Sequence, residues 1–401
     1  MAFVIIFTSV LGLMYGYVGW RLMSTAAFPS PWNYVAWGVI AFLWLSVPLR
    51  FLFWFRGYFS MWVDWYASFA YIGLALFSIL FVLMLSRDII WLLILLGGKG
   101  IALFQGSKGG EEAASAVMDP EKRRFLLNMI NIGIVSVSGS YIGWGVYTAK
   151  SRIRVKKIDI RIPNLPKEFS GYEILQISDI HVGPSIKRKF VERIVEIAKR
   201  LSPDLLVMTG DLVDGSVASL RDDVAPLKEL DIPHGKYFVT GNHEYYSGVS
   251  EWVAHIRDDL GFRVLNNEHI VLKKGKGHIV LAGVTDLVSR NMDPQNASDP
   301  HKAIEGASKE SFKILLAHQP SSIFKAAEAG FDLQLSGHTH GGQFYPWNLL
   351  VGLQQPFIKG IHKYKNTGIY VDTGVGYWGP PVRIGVPPQV TLMKLVKGSG
   401  R

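Results

Sequence analysis

A bundle of membrane-spanning α-helices followed by an α/β layered domain is the fold class that the sequence predicts, and three observations predict it. From Met1 to Gln105 the only Asp, Glu, Lys or Arg residues are Arg21, Arg50, Arg56, Asp64, Arg87, Asp88 and Lys99, whereas the rest of the 401-residue chain has an ordinary charged composition. From Lys150 onward short apolar strands alternate with amphipathic helices, the pattern of a layered sheet. Five of those strands run straight into an Asp, Asn or His, where open α/β sheets place their ligands. The expected domains are a helical membrane domain over 1–149 and a second domain over 150–401.

Phe3 to Trp20 is an apolar run long enough to cross a bilayer, and it lacks the basic start of a cleaved signal peptide. Tyr34 to Phe55 and Tyr66 to Ser86 are two more. After Arg87-Asp88 comes Ile89 to Phe104, interrupted by Gly97-Gly98-Lys99-Gly100, which spans or re-enters. Gly106 to Glu121 reads as a polar loop, and Phe125 to Tyr147 as a last, less apolar run behind Lys122-Arg123-Arg124. Four or five spans are expected, in a multi-pass protein of the plasma or inner membrane. Intramembrane charge is sparse, with no paired acid and base that suggests transport. Counting Lys and Arg near the span ends does not decide orientation. The cluster Arg123-Arg124-Phe125-Leu126-Leu127 looks like an embedded twin-arginine signal, which turns the second domain outward.

The net charge of +10 is spread over loops and linkers, as suits a surface beside anionic lipid at least as well as one that binds nucleic acid. With no Cys, any metal is held by His, Asp, Glu or Asn. In the second half, the strand Tyr172 to Ser178 ends in Asp179-Ile180-His181. A helix, Lys187 to Leu201, follows. Leu205 to Met208 leads to Gly210-Asp211-Leu212-Val213-Asp214, and Lys236 to Thr240 to Gly241-Asn242-His243-Glu244. Phe312 to Ala317 stops at His318, and Phe331 to Ser336 at Gly337-His338-Thr339-His340. Alone, an Asp-x-His is usually a surface loop and a buried His is usually hydrogen-bonded. Here five of eleven histidines sit at strand ends, and that concentration points to one site.

Asp179-x-His181, Gly210-Asp211-x-x-Asp214, Gly241-Asn242-His243-Glu244, His318 and Gly337-His338-x-His340 resemble the complete motif set of the calcineurin-like metallophosphoesterases, in order and in local spacing. The stretch Asp372 to Arg383 is similar to the membrane-anchored bacterial branch of that family. The resemblance implies a β-sandwich flanked by helices with a dinuclear metal site, and hydrolysis of phosphoester or pyrophosphate bonds. It implies one cation held by Asp179, His181, Asp211 and His340, and a second held by Asp211, Asn242, His318 and His338. Mixed oxygen and imidazole donors suit two Mn, Fe or Zn ions rather than Ca. His243 is then a proton donor to phosphate or leaving group, with Asp214 fixing its tautomer.

Phe344 to Leu353 is an aromatic and aliphatic loop trailed by Lys359, Lys363 and Lys365, and Phe344 and Trp347 are candidates to meet an acyl chain. The alternative is a loop packed on the core. Arg383 is a candidate phosphate clamp. The expected substrate is a lipid-linked phosphoester or pyrophosphate, UDP-diacylglucosamine-like or a phospholipid. A nuclease or nucleotide phosphodiesterase is the second reading, without an aromatic-basic groove to favour nucleic acid. A non-catalytic membrane sensor with a structural metal is the third.

Overall fold

The computed structural model describes residues 2–26, 28–56, 61–105, 120–163 and 165–398. They form two compact units, Met1–Trp144 and Gly145–Arg401.

The first unit consists of long apolar helices: α1 (Ala2–Ala26), α2 (Trp32–Phe55), α3 (Met61–Gln105) and the start of α4 (Pro120–Lys150). Four stretches, Ile5–Ala26, Trp32–Phe53, Trp62–Ile94 and Glu121–Lys150, are long and apolar enough to cross a membrane. Two sequence expectations are corrected here. The runs split at Arg87-Asp88 are one helix of 45 residues, about 67 Å at the α-helical rise, so Ile89 to Phe104 is no separate span. The charge pair does not break the helix because both side chains are satisfied against neighbouring helices. Asp88 pairs with Arg87 at 2.8 Å and with Arg21 of α1 at 2.5 Å, and accepts from Tyr17. An acid with basic partners is therefore present among these helices after all. Of the polar loop expected at Gly106 to Glu121, residues 106–119 lie outside the described residues.

The second unit is a sandwich of two six-stranded sheets. One runs β1 (Arg154–Ile162), β12 (Gln389–Lys397), β2 (Glu173–Ile177), β3 (Leu205–Met208), β4 (Lys236–Phe238), β5 (Arg263–Val264), with β2 to β5 parallel. The other runs β10 (Gly360–Tyr364), β11 (Thr367–Val371), β9 (Leu333–Ser336), β8 (Lys313–Leu316), β7 (Gly277–Gly283), β6 (Glu268–Lys274), with β11, β9, β8 and β7 parallel.

Alternation along the strands builds the layers. Ile174, Leu205, Val207, Ile314, Leu316 and Leu335 fill the space between the sheets. Leu175, Ile177, Leu206 and Met208 face outward under the helix Arg188–Leu201, whose Phe190, Val191, Ile194 and Ala198 are buried against them. Leu315 and Ala317 pack against Ala326 of the helix Ile323–Ala329 on the far side. Burying each such aliphatic side chain is worth about 1.5–3 kcal/mol. The polar Gln176 crosses the inner layer instead: its amide donates to Thr209 Oγ1 at 2.9 Å and to the Ser336 carbonyl at 3.0 Å, pinning the two sheets together just below their C-terminal edges.

Candidate active site

Parallel strands place all their C-terminal ends on one side, so β2, β3 and β4 of one sheet and β8 and β9 of the other deliver five loops to one rim. The loops are cross-tied. After β2 and β3 the chains zip together through Asp179 N–H to the Gly210 carbonyl (3.1 Å), His181 N–H to the Asp211 carbonyl (3.1 Å) and Val182 N–H to the Leu212 carbonyl (2.8 Å). Asp211 Oδ1 accepts the His243 backbone N–H at 2.9 Å, and the Asp179 carboxylate accepts that of His338 at 2.9 Å across the sandwich. Gly210, at φ +87°, is required because a Cβ there would lie 2.6 Å from the Gly241 nitrogen.

This crossing bends the backbone hard. Asp179, His181, Asp211, His338 and His340 all adopt left-handed φ between 50° and 71°. For non-glycine residues that costs roughly 1 kcal/mol apiece, and Asp and His tolerate it better than most. The geometry aims the side chains inward. Asp179, His181 and His340 form one group of converging donor atoms and Asp211, His318 and His338 another, while His181, Asp211 and His243 converge between them. Asp211 Oδ2 lies 3.0 Å from His318 Nε2 and 3.7 Å from His181 Nε2, so it faces both groups.

The donors fit cations. His318 donates its Nδ1 proton to the Thr209 carbonyl at 2.7 Å and aims Nε2 at Asp211 Oδ2, 3.0 Å away, and at His338 Nδ1, 3.2 Å away. Burial opposes its imidazolium, but Asp211 and Asp179 raise its pKa well above the usual histidine value, so in a ligand role it gives up the Nε2 proton. Asn242 Oδ1 is buried with no hydrogen-bond partner. Unshared electron pairs gathered at this density call for positive charge. The electrostatics agree. Burial opposes ionisation of Asp211, yet His318, His243 and His181 hold it well below the usual carboxylate range. Burial pushes His338 down to about 3, with His318 adding to the effect, and burial with His181 and Arg383 holds His340 neutral.

Asp214 stands behind the histidines. Its Oδ1 accepts from His243 Nδ1 at 2.5 Å and from His181 Nδ1 at 3.1 Å. Burial disfavours the His243 imidazolium, but Asp211 and Asp214 outweigh it and raise the ring to about 9. The His243 ring lies between two half-exposed aromatics, Tyr246 with centroids 5.4 Å apart and Trp378 at 5.8 Å.

Two sequence assignments are corrected. Arg383 is fully buried and cannot clamp a substrate phosphate. Its guanidinium donates to the carbonyls of Gly376 (2.7 Å) and Thr373 (2.8 Å) and to His340 Nδ1 (2.9 Å). A guanidinium only donates, so the proton of neutral His340 sits on Nε2, 3.0 Å from His181 Nε2. Phe344 is also buried, at 2% exposure, and packs on the core. Trp347 is half-buried and opens the helix Trp347–Gln354, whose Leu349, Leu350 and Leu353 are exposed.

Three residues carry roles the sequence did not disclose. Glu244 accepts the backbone N–H groups of Asp211, Leu212 and Gly241 at 2.7–3.0 Å, holding the Asp211 turn from beneath. Tyr246 follows His243 at helical i, i+3 spacing, a signal that was legible. Trp378 reaches the site from a distant loop, inside the stretch Asp372 to Arg383 that carries the resemblance, but nothing in that stretch pointed to His243.

Comparison with known proteins bears on the same residues. The calcineurin-like phosphoesterase family matches residues 172–342. An uncharacterized metallophosphoesterase of Helicobacter pylori is 37% identical over 278 residues, 69% of this chain and 72% of that one. A transmembrane protein with metallophosphoesterase domain from Danio rerio is 34% identical over 300 residues, 73% of this chain and 67% of that one. With converging carboxylates and imidazoles at the strand ends and this similarity along the chain, the protein belongs to the calcineurin-like metallophosphoesterases, metal-dependent phosphoester hydrolases that use two metal ions.

Proposed function

We propose that the enzyme hydrolyses a phosphoester or pyrophosphate carried by a membrane lipid. The observation that carries this reading is the helix Trp347–Gln354. It begins seven residues after His340 and exposes Leu349, Leu350 and Leu353 at 58%, 52% and 83%, a single apolar stripe beside the site. Gln343 fastens the same segment to the Trp378 loop through the Trp378 and Pro380 carbonyls at 3.1 and 2.9 Å, which frames the site mouth with apolar groups. Exposed Lys359, Lys363 and Lys365 follow, suited to anionic headgroups.

In this reading Asp179, His181, Asp211 and His340 hold one cation, and Asp211, Asn242, His318 and His338 the other. Mixed oxygen and nitrogen donors favour Mn, Fe or Zn. When bound, the cations supply Lewis acidity and an activated water. His243, protonated at neutral pH, donates to the phosphoryl oxygen or the departing alkoxide, and Asp214 keeps its Nδ1 proton in place. Replacing Leu349, Leu350 and Leu353 together by Ser is expected to cut hydrolysis of an acylated phosphodiester in vesicles at least about tenfold. The same variant turns over a soluble aryl phosphodiester at the parent rate. Equal losses on both substrates would remove the lipid from this reading.

The catalytic unit faces outward in this proposal. Lys122, Arg123 and Arg124 open α4 and stay in the cytoplasm, so its far end emerges on the other side. External protease added to intact cells is then expected to cleave the catalytic unit. A fragment protected until lysis would reverse the orientation.

A further inference from the structure

The membrane unit holds a cavity of about 650 Å³, within the size range of ligand sites. Its charged lining, among the described residues, is Arg21, Arg87 and Arg123 against one acid, Asp88. Asp88 is already committed to Arg21, Arg87 and Tyr17. Asn131 fixes the geometry, accepting from Arg87 and donating to the Arg21 carbonyl at 3.0 Å and to Thr25 Oγ1 at 2.8 Å. The lining therefore carries two more positive than negative charges in an otherwise apolar wall. Arg21 Nε is buried without a hydrogen-bond partner, and Arg123 lies over the Trp91 ring at 5.9 Å on the exposed side.

Excess positive charge among apolar side chains is costly, and an anion with apolar attachments removes the cost. The level fits as well: Arg21 lies five residues from the end of α1 and Arg123 in the first turn of α4, at the depth where lipid phosphates meet acyl chains. Ile90, Ile94 and Ile130 line the cavity and are themselves exposed, so it opens sideways to where those chains run. We infer that this cavity binds the phosphate of an anionic phospholipid, gripped by Arg21, Arg87 and Arg123 with its acyl chains along the apolar wall. A zwitterionic lipid brings its own cation to a site that is already positive. A free phosphate ion gains nothing from the apolar lining. The site belongs to the helical unit, and its occupant does not depend on what the strand-end centre cleaves.

The test uses the full chain, stripped of lipid in detergent and then titrated with phosphatidylglycerol or phosphatidylcholine, with native mass spectrometry counting the lipid retained. The parent protein is expected to retain phosphatidylglycerol about tenfold more strongly than phosphatidylcholine. Arg123→Gln, an exposed position whose loss leaves Asp88 fully paired, is expected to erase most of that preference while hydrolysis of a soluble aryl phosphodiester stays unchanged. The double variant Arg87→Gln/Asp88→Asn, which keeps the local charge balance, is expected to weaken retention as well. Equal retention of both lipids by the parent, or unaltered preference in Arg123→Gln, overturns the inference. So does displacement of the bound lipid by inorganic phosphate at equal concentration.

Discussion

Replacing Asp211 by Ala is expected to lower hydrolysis by about a thousandfold or more and to reduce bound metal from two ions to fewer than one per chain. This carboxylate faces donors of both groups, 3.0 Å from His318 Nε2 and 3.7 Å from His181 Nε2. Its other oxygen secures the loop after β4 through the His243 backbone N–H. Removing it takes away the carboxylate that His318 Nε2 faces and loosens the Asn242 turn at once, so both halves of the centre suffer. Elemental analysis of the purified variant, with circular dichroism to confirm the fold, measures the effect. A variant that keeps two ions would show that the centre is bridged in some other way.

His243→Asn is expected to cost about a hundred- to ten-thousandfold in kcat on an alkyl phosphodiester, the range for a lost general acid. The loss should shrink below about tenfold on a substrate whose leaving group needs no proton, because a nitrophenolate departs unaided. The pH profile supplies the sign. With its pKa raised to about 9, the ring is protonated at neutral pH and loses its proton as pH rises, so the parent rate falls on the alkaline side. That limb lies at or below pH 9, since cations beside Asp211 disfavour the imidazolium. In His243→Asn the limb disappears. A uniform loss across leaving groups with the limb intact would assign His243 to positioning alone.

How far the sequence could be read depended on whether one segment held the information. The strand ends were legible because an apolar run that stops abruptly at Asp or His is a local signal, and the sandwich gathers such ends by topology. The helix break at Arg87-Asp88 was misread because the partners that satisfy those charges, Arg21, Tyr17 and Asn131, come from two other helices. Arg383 was misjudged for a related reason. Its chemistry is that of a phosphate clamp, but burial spends its donors on carbonyls and on His340, and burial is a property of the fold. The aromatic stretch after His340 divides: Phe344 turns into the core, and the leucines that follow remain outside.

The left-handed turns at Asp179, His181, Asp211, His338 and His340 carry a consequence for any attempt to engineer this protein. Five uncomfortable hinges sit where like charges and lone pairs already crowd, so the machinery is also the weakest masonry in the building. Selection for heat resistance alone will therefore drift toward inert descendants, with glycine or asparagine replacing the reactive groups. A screen that scores turnover alongside melting is what keeps such lineages alive as catalysts.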